Sequence, residues 1–140
     1  MKLVIDSNIF IAALDPKDVF HTECYPIIER MLNLEIEALC PSLVLVETTC
    51  VLRRRTNDEA IAVAVYKSLA QLPSVNWLDI TIEVAEGASM LGAKIGLKGG
   101  DAIVLQVAKQ YGIPLLTKDK EMKQKAPIDI LVFEPKDLHF

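Results

Sequence analysis

The chain has 140 residues and a mass of 15.5 kDa, the size of one domain that buries roughly 70% of its unfolded surface. Hydrophobic residues make up 51% and charged residues 24%, which excludes a disordered chain, and no apolar run approaches the ~18 residues of a membrane span. Fifteen basic against nineteen acidic residues leave a net charge of −4, so any nucleic acid must be met at a local site rather than through a general basic surface.

The first apolar run, Lys2 to Ile5, reads as a central strand of a parallel sheet. Asp6 interrupts it too soon for a secretory h-region, and Cys24, Cys40 and Cys50 lack C-x-x-C spacing. Both points lead to the expectation of a cytoplasmic protein. Cys40 and Cys50, in apolar stretches, are expected in the core. A helix is expected from Val19 to Leu34, then a strand from Ile36 to Cys40, ended by Pro41. Ser42 caps a helix running to Arg54, and Asn57-Asp58-Glu59 opens another to Leu72. Val75 to Leu78 is a third strand, and Thr81 caps a helix ending near Gly96. The last long helix spans Asp101 to Tyr111, closed by Gly112. Strands follow at Ile113 to Leu116 and at Ile128 to Phe133. The alternation implies a single α/β domain over residues 1–140, with a mainly parallel sheet of about five strands between helical layers.

Ligands of such sheets bind outside the C-terminal ends of the strands. Asp6 directly follows the first strand and Asp119 the fourth, so parallel strands put both at one edge. Glu47 stands in a helix that is apolar nearly all round, with Leu43, Val44, Cys50 and Val51 at helical contact spacing. A lone ionised carboxylate there is costly unless something compensates it, an ion pair with Arg54 being the plain alternative. Asp101 opens a helix after Gly99-Gly100, with Val104, Leu105 and Ala108 along its face. Dipole stabilisation would explain it alone, but the two glycines also allow close backbone approach. Four inward carboxylates repel one another, and a divalent cation removes the conflict; hard oxygen donors select Mg2+ or Mn2+. The two histidines, His21 and His139, lie near no motif, and His21 is read as a structural residue.

These features resemble a known family. Asp6-Ser7-Asn8, Glu47 within an apolar helix, Gly100-Asp101 opening a helix, and Thr117-x-Asp119 after a strand are similar to a PIN domain, and more narrowly to VapC-type toxin ribonucleases of type II toxin–antitoxin systems. The similarity spans nearly the whole chain and rests on the order and intervals of the acids, 41, 54 and 18 residues apart. It implies a PIN-like three-layer sandwich in which Asp6, Glu47, Asp101 and Asp119 form a catalytic quartet. Asp6, Asp101 and Asp119 would hold Mg2+ or Mn2+, with Asn8, Thr117 and Ser7 in support. It also implies hydrolysis of RNA phosphodiesters to 5′-phosphate and 3′-hydroxyl ends, homodimers, and a small antitoxin over the active site. Many members follow the fourth acid with Asp and an aromatic; here Lys120-Glu121-Met122 follow.

Lys94, Lys98, Lys118 and Lys120 flank the acids and are candidate phosphate contacts. Arg53, Arg54 and Arg55 are read as favouring a helix C-terminus, and Trp77 as core. A mean hydropathy of +0.31 suggests an apolar patch covered by a second copy or an antitoxin. The alternatives are a housekeeping PIN-domain RNA-processing nuclease and a haloacid-dehalogenase-type phosphatase, which needs an acid where Asn8 stands. A third is a receiver-like signalling domain phosphorylated on Asp79.

Overall fold

The computed structural model describes residues 1–139. In chain order the elements are β1 (Lys2–Ile5), α1 (Ser7–Leu14), α2 (His21–Leu32), β2 (Glu37–Pro41), α3 (Ser42–Thr56), α4 (Glu59–Ala70), β3 (Val75–Leu78), α5 (Ile82–Ile95), α6 (Gly99–Tyr111), β4 (Leu115–Leu116), α7 (Lys120–Lys125) and β5 (Val132–Phe133). The five strands form one sheet in the order β3-β2-β1-β4-β5, and every pairing is parallel. Parallel strands joined through helices cross right-handedly, which puts α1 to α4 on one face and α5 to α7 on the other. The packing agrees: α1 lies against α2 and α3, and α3 against α4, whereas α5 packs on α6 and α6 on β1, β2 and β4.

The centre of the sheet carries the core. Leu3, Val4 and Ile5 of β1 and Leu115 and Leu116 of β4 are buried between the helical layers, with Ile9, Phe10, Met31, Val104 and Leu105 against them. Each such side chain contributes about 1.5–3 kcal/mol relative to exposure. Trp77 joins this packing as expected: its ring lies 6.2 Å from that of Phe10 and its Nε1 donates to the Leu69 carbonyl at 3.0 Å.

Several boundaries differ from those expected. Helix α1 had no amphipathic signal because Ile9 to Ala13 are all buried, leaving no polar face to set a period. Helix α2 starts at His21, two residues after Val19, and ends at Leu32; Leu34 lies outside it with a φ of 60°. Strand pairing in β4 and β5 is confined to two residues each. Pro114 lacks the N–H a longer β4 would use, and Ile128, read as the start of a strand, is fully exposed at 101%. Helix α6 begins at Gly99, and α7 is too short to show periodicity. Gly112 does close α6, with φ 64°. Cys50 is exposed, not core, because it faces outward from α3; Cys40 is fully buried and donates to the Ile5 carbonyl.

The arginine run does more than favour a helix end. Arg55 Nη1 bonds Asp15 Oδ2 at 2.8 Å and Asp18 Oδ2 at 2.7 Å, tying α3 to the α1–α2 connection, and Arg53 bonds the Asn57 side chain at 2.9 Å. Asp79 is exposed after β3, an edge strand two positions from β1. A receiver-like domain needs its phosphoacceptor strand beside β1, as in the order 2-1-3-4-5, so that reading is excluded.

Candidate active site

The chain leaves β1 for β2 on one side, and later returns to place β4 on the other side of β1. The crevice beyond the C-terminal ends of β1 and β4 is therefore the point where the winding direction reverses, the place where such sheets bind ligands. Asp6 stands at the end of β1 and Thr117 to Asp119 at the end of β4. Helices return antiparallel to the strands, so the N-terminal two turns of α3 and the first turn of α6 lie at the same edge. They bring Glu47 and Asp101 there.

A closed network of neutral donors surrounds Asp6, which is 4% exposed. Its Oδ1 accepts from Ser7 N at 2.8 Å; its Oδ2 accepts from the Thr117 hydroxyl at 2.8 Å and from Asn8 Nδ2 at 3.3 Å. Thr117 Oγ1 in turn accepts from Asn8 Nδ2 and from Asp119 N, both at 3.0 Å, and Lys118 N donates to Asn8 Oδ1 at 3.0 Å. Thr117 thus spends its one donor and both lone pairs on binding the ends of β1 and β4 together. Asp119 caps α7, accepting from Met122 N at 3.1 Å, so its helix-capping role and its place beside the other acids coexist.

The electrostatics are those of crowded negative charge. Burial pushes the Asp6 carboxyl up to about 6, Thr117 and Ser7 hold it back, and Asp101 and Glu47 push further. Burial also raises Glu47, against a hydrogen bond from the Ser7 hydroxyl and with the help of Asp101. Asp101 is raised by burial and then by Asp119, with Lys98 opposing. Glu47 has no ion pair with Arg54 among the described residues. The four acids therefore feel one another, and nothing but neutral donors contacts the most buried of them. All donors are hard oxygens, the set that suits Mg2+ or Mn2+. Among the described residues, no three His, Cys, Asp or Glu side chains stand in a ready-made metal-binding arrangement.

The close approach that Gly99-Gly100 allowed is made by Gly100. A Cβ there would lie 3.3 Å from Glu47 Oε2 and 3.5 Å from Leu43 Cδ2. Gly100→Ala should therefore displace the Glu47 carboxylate by a few tenths of an ångström. Alanine is a better helix former by up to ~1 kcal/mol, so stability should hold or rise. Any activity that depends on the position of the Glu47 carboxylate should fall by about 10-fold, as it does when reacting groups are misplaced. Thermal unfolding and an activity assay on the same preparation check the pair; lower stability with full activity would count against the contact.

The candidate phosphate lysines fare differently. Lys94, Lys98 and Lys120 are exposed; Lys98 is the N-cap of α6 and acts on Asp101, Lys120 follows Asp119 directly, and Lys94 lies in the last turn of α5 with no contact to the acids among the described interactions. Lys118 is 10% exposed by side chain and already employed: its Nζ meets Glu23 at 2.5 Å and Glu134 at 3.5 Å and sits 4.2 Å from the centre of the Phe20 ring. Glu134 and Phe20 were missed because neither has a local sequence signal. Both come near Lys118 only through tertiary packing.

A family model for the PIN domain matches residues 3–127. The chain belongs to the PIN domain family. No curated protein matches it by sequence. Among solved structures this PIN domain is similar to VapC20 of Mycobacterium tuberculosis, a sarcin-ricin loop cleaving toxin, with a TM-score of 0.76 and 18% identity over 92% of this chain and 98% of that one. It is also similar to the DNA-bound VapBC of Salmonella typhimurium, with a TM-score of 0.73 and 16% identity over 96% and 98% of the two chains. FitAcB of Neisseria gonorrhoeae aligns with a TM-score of 0.69 and 19% identity over 99% and 100%. At these identities the likeness is one of fold. No described helix of the PIN domain is long and apolar enough to cross a membrane.

Proposed function

We propose that this PIN domain is a divalent-metal-dependent endoribonuclease and the toxin of a toxin–antitoxin pair. The observation that carries the reading is the buried Asp6 carboxylate, contacted only by neutral donors, in the field of Asp101 and Glu47 at the switch point of the sheet. Membership of a family of metal-dependent nucleases supports it, as does the fold likeness to VapC20. Asp6, Asp101 and Asp119 would hold Mg2+ or Mn2+, with Glu47 completing the acidic set. When bound, the cation lowers the pKa of a coordinated water and neutralises phosphate charge. Ser7 orients Glu47, and Asn8 and Thr117 hold Asp6 and the Asp119 segment in register. Lys98 supplies positive charge beside Asp101 for an incoming phosphate.

The partner reading follows the same line. Several fold neighbours are toxin–antitoxin assemblies, including the VapBC and FitAB complexes. Ile61, Val63 and Tyr66 of α4 and Val46 of α3 are exposed apolar side chains suited to a second chain, whether a like copy or an antitoxin. We take the chain to act as one cytoplasmic domain. The direct test is incubation of the purified chain with structured and single-stranded RNA. Cleavage is expected in Mg2+, loss of cleavage in EDTA, and recovery on adding back Mg2+ or Mn2+. Cleavage indifferent to EDTA, or none on any RNA class tested, would sink the proposal.

A further inference from the structure

A hollow of about 340 Å³ adjoins the acids, and its walls include Asn8 and Asp119 of the candidate site together with Phe20, Lys118, Arg55 and Asp18. Phe20 is the residue that local structure does not explain. It occupies the N-cap of α2, where Ser, Thr, Asp or Asn would satisfy a free N–H, and makes no capping bond. The residue is 40% exposed instead of joining the core. Yet the turn carrying it is braced. Phe20 N donates to Asp18 Oδ1 at 2.8 Å, His21 N donates to the Asp18 carbonyl at 3.0 Å, and Arg55 grips Asp18 Oδ2. Lys118 Nζ covers part of the ring and is itself held by Glu23 and Glu134. An aromatic that forfeits a helix cap, stays wet and is nonetheless immobilised breaks local rules in a way expected of functional positions.

We propose that this hollow is a nucleobase subsite, in which the open part of the Phe20 ring stacks a base of single-stranded RNA next to the scissile phosphate. The inference rests on the ribonuclease reading. Both cations in the wall are already paired with carboxylates, so the hollow is not built to take a phosphate. What it offers a ligand is an aromatic face, and every base has a π-face to meet it. Arg55 and Lys118 act as positioning residues that hold the turn and the ring.

The test uses the full chain in Mg2+ and short fluorogenic single-stranded RNAs. Phe20→Ala should raise KM by about 10-fold with a smaller change in kcat, matching the loss of one stacked base. Phe20→Leu, which keeps apolar bulk without a π-face, should behave like Phe20→Ala, and Phe20→Tyr should restore the wild-type KM. An unchanged KM in Phe20→Ala, or wild-type behaviour of Phe20→Leu, overturns the subsite while leaving the nuclease reading standing. A second arm titrates adenosine 5′-monophosphate into the wild-type chain in EDTA, followed by amide NMR shifts. Shifts at Phe20, His21 and Lys118 support the subsite even if no RNA is cleaved, which would sink the nuclease reading alone; no shift there overturns the subsite. If Phe20→Ala weakens capture of a partner protein with the KM for RNA unchanged, the hollow serves protein recognition and the proposal falls.

Discussion

Asp6→Asn is expected to lose RNA cleavage by ~10-fold or more and, in metal-free buffer at neutral pH, to unfold less readily than the wild type. The two effects share one cause. The Asp6 carboxyl is raised from 3.8 to about 6 by burial first, and its charged form is therefore disfavoured in the folded chain. For a raised carboxyl the unfolded state ionises at lower pH than the folded one. Stability contributed by the neutral form is present at acid pH and drains away between pH ~4 and ~6. At about 1.4 kcal/mol per unit the penalty above pH 6 is about 3 kcal/mol. Asparagine removes it, but an amide N–H must then face one of the donors that Asp6 now accepts, which returns about 1–2 kcal/mol. The net gain is about 1–2 kcal/mol, readable by urea unfolding in EDTA at pH 7.5. A variant that cleaves RNA normally, or one less stable than the wild type there, would break the link between buried charge and function.

Glu134 works in the opposite sense. It is 4% exposed at the end of β5 and has Lys118 at 3.5 Å, Lys123 at 3.2 Å and Lys136 at 3.5 Å. Asp137 closes the cluster, accepting from Lys123 at 2.7 Å and from Glu134 N at 2.9 Å. Burial opposes the charge on Glu134, but the bond from Lys123 and the surrounding lysines prevail and hold its carboxyl below the usual range. Glu134→Ala should cost about 3 kcal/mol, the low end for breaking a buried pair because Lys123 and Lys136 stay partly hydrated. A depressed carboxyl gives stability that is present above the ordinary glutamate value and lost as pH falls below it. Wild-type and variant unfolding midpoints should therefore differ widely at pH 7 and converge below pH 4. An equal gap at both pH values would assign the loss to packing rather than charge. Because Lys118 lies between Thr117 and Asp119, turnover should drop as well.

The acids were legible because each breaks a local pattern. Glu47 interrupts an apolar helix, Asp6 ends an apolar strand, and Asp101 follows a glycine pair that has a structural purpose in Gly100. Chemistry out of keeping with its neighbours shows in one dimension. Helix α1 did not show, because burial on every side erases periodicity, and Cys50 was misplaced because composition does not say which side of α3 faces water. The roles of Lys118 and Arg55 were also out of reach. Their partners lie 16 and 95 positions away for Lys118, and 37 and 40 for Arg55. The sequence by itself determined the alternation of strands and helices and the carboxylates that such a sheet would collect at one edge. Only the tertiary structure decided that β4 lies beside β1, which joins Thr117 to Asp6, and that Phe20 stands beside the acids. Periodicity and side-chain chemistry are properties of near neighbours in the chain, whereas strand order and the company of a surface ring depend on how distant segments pack.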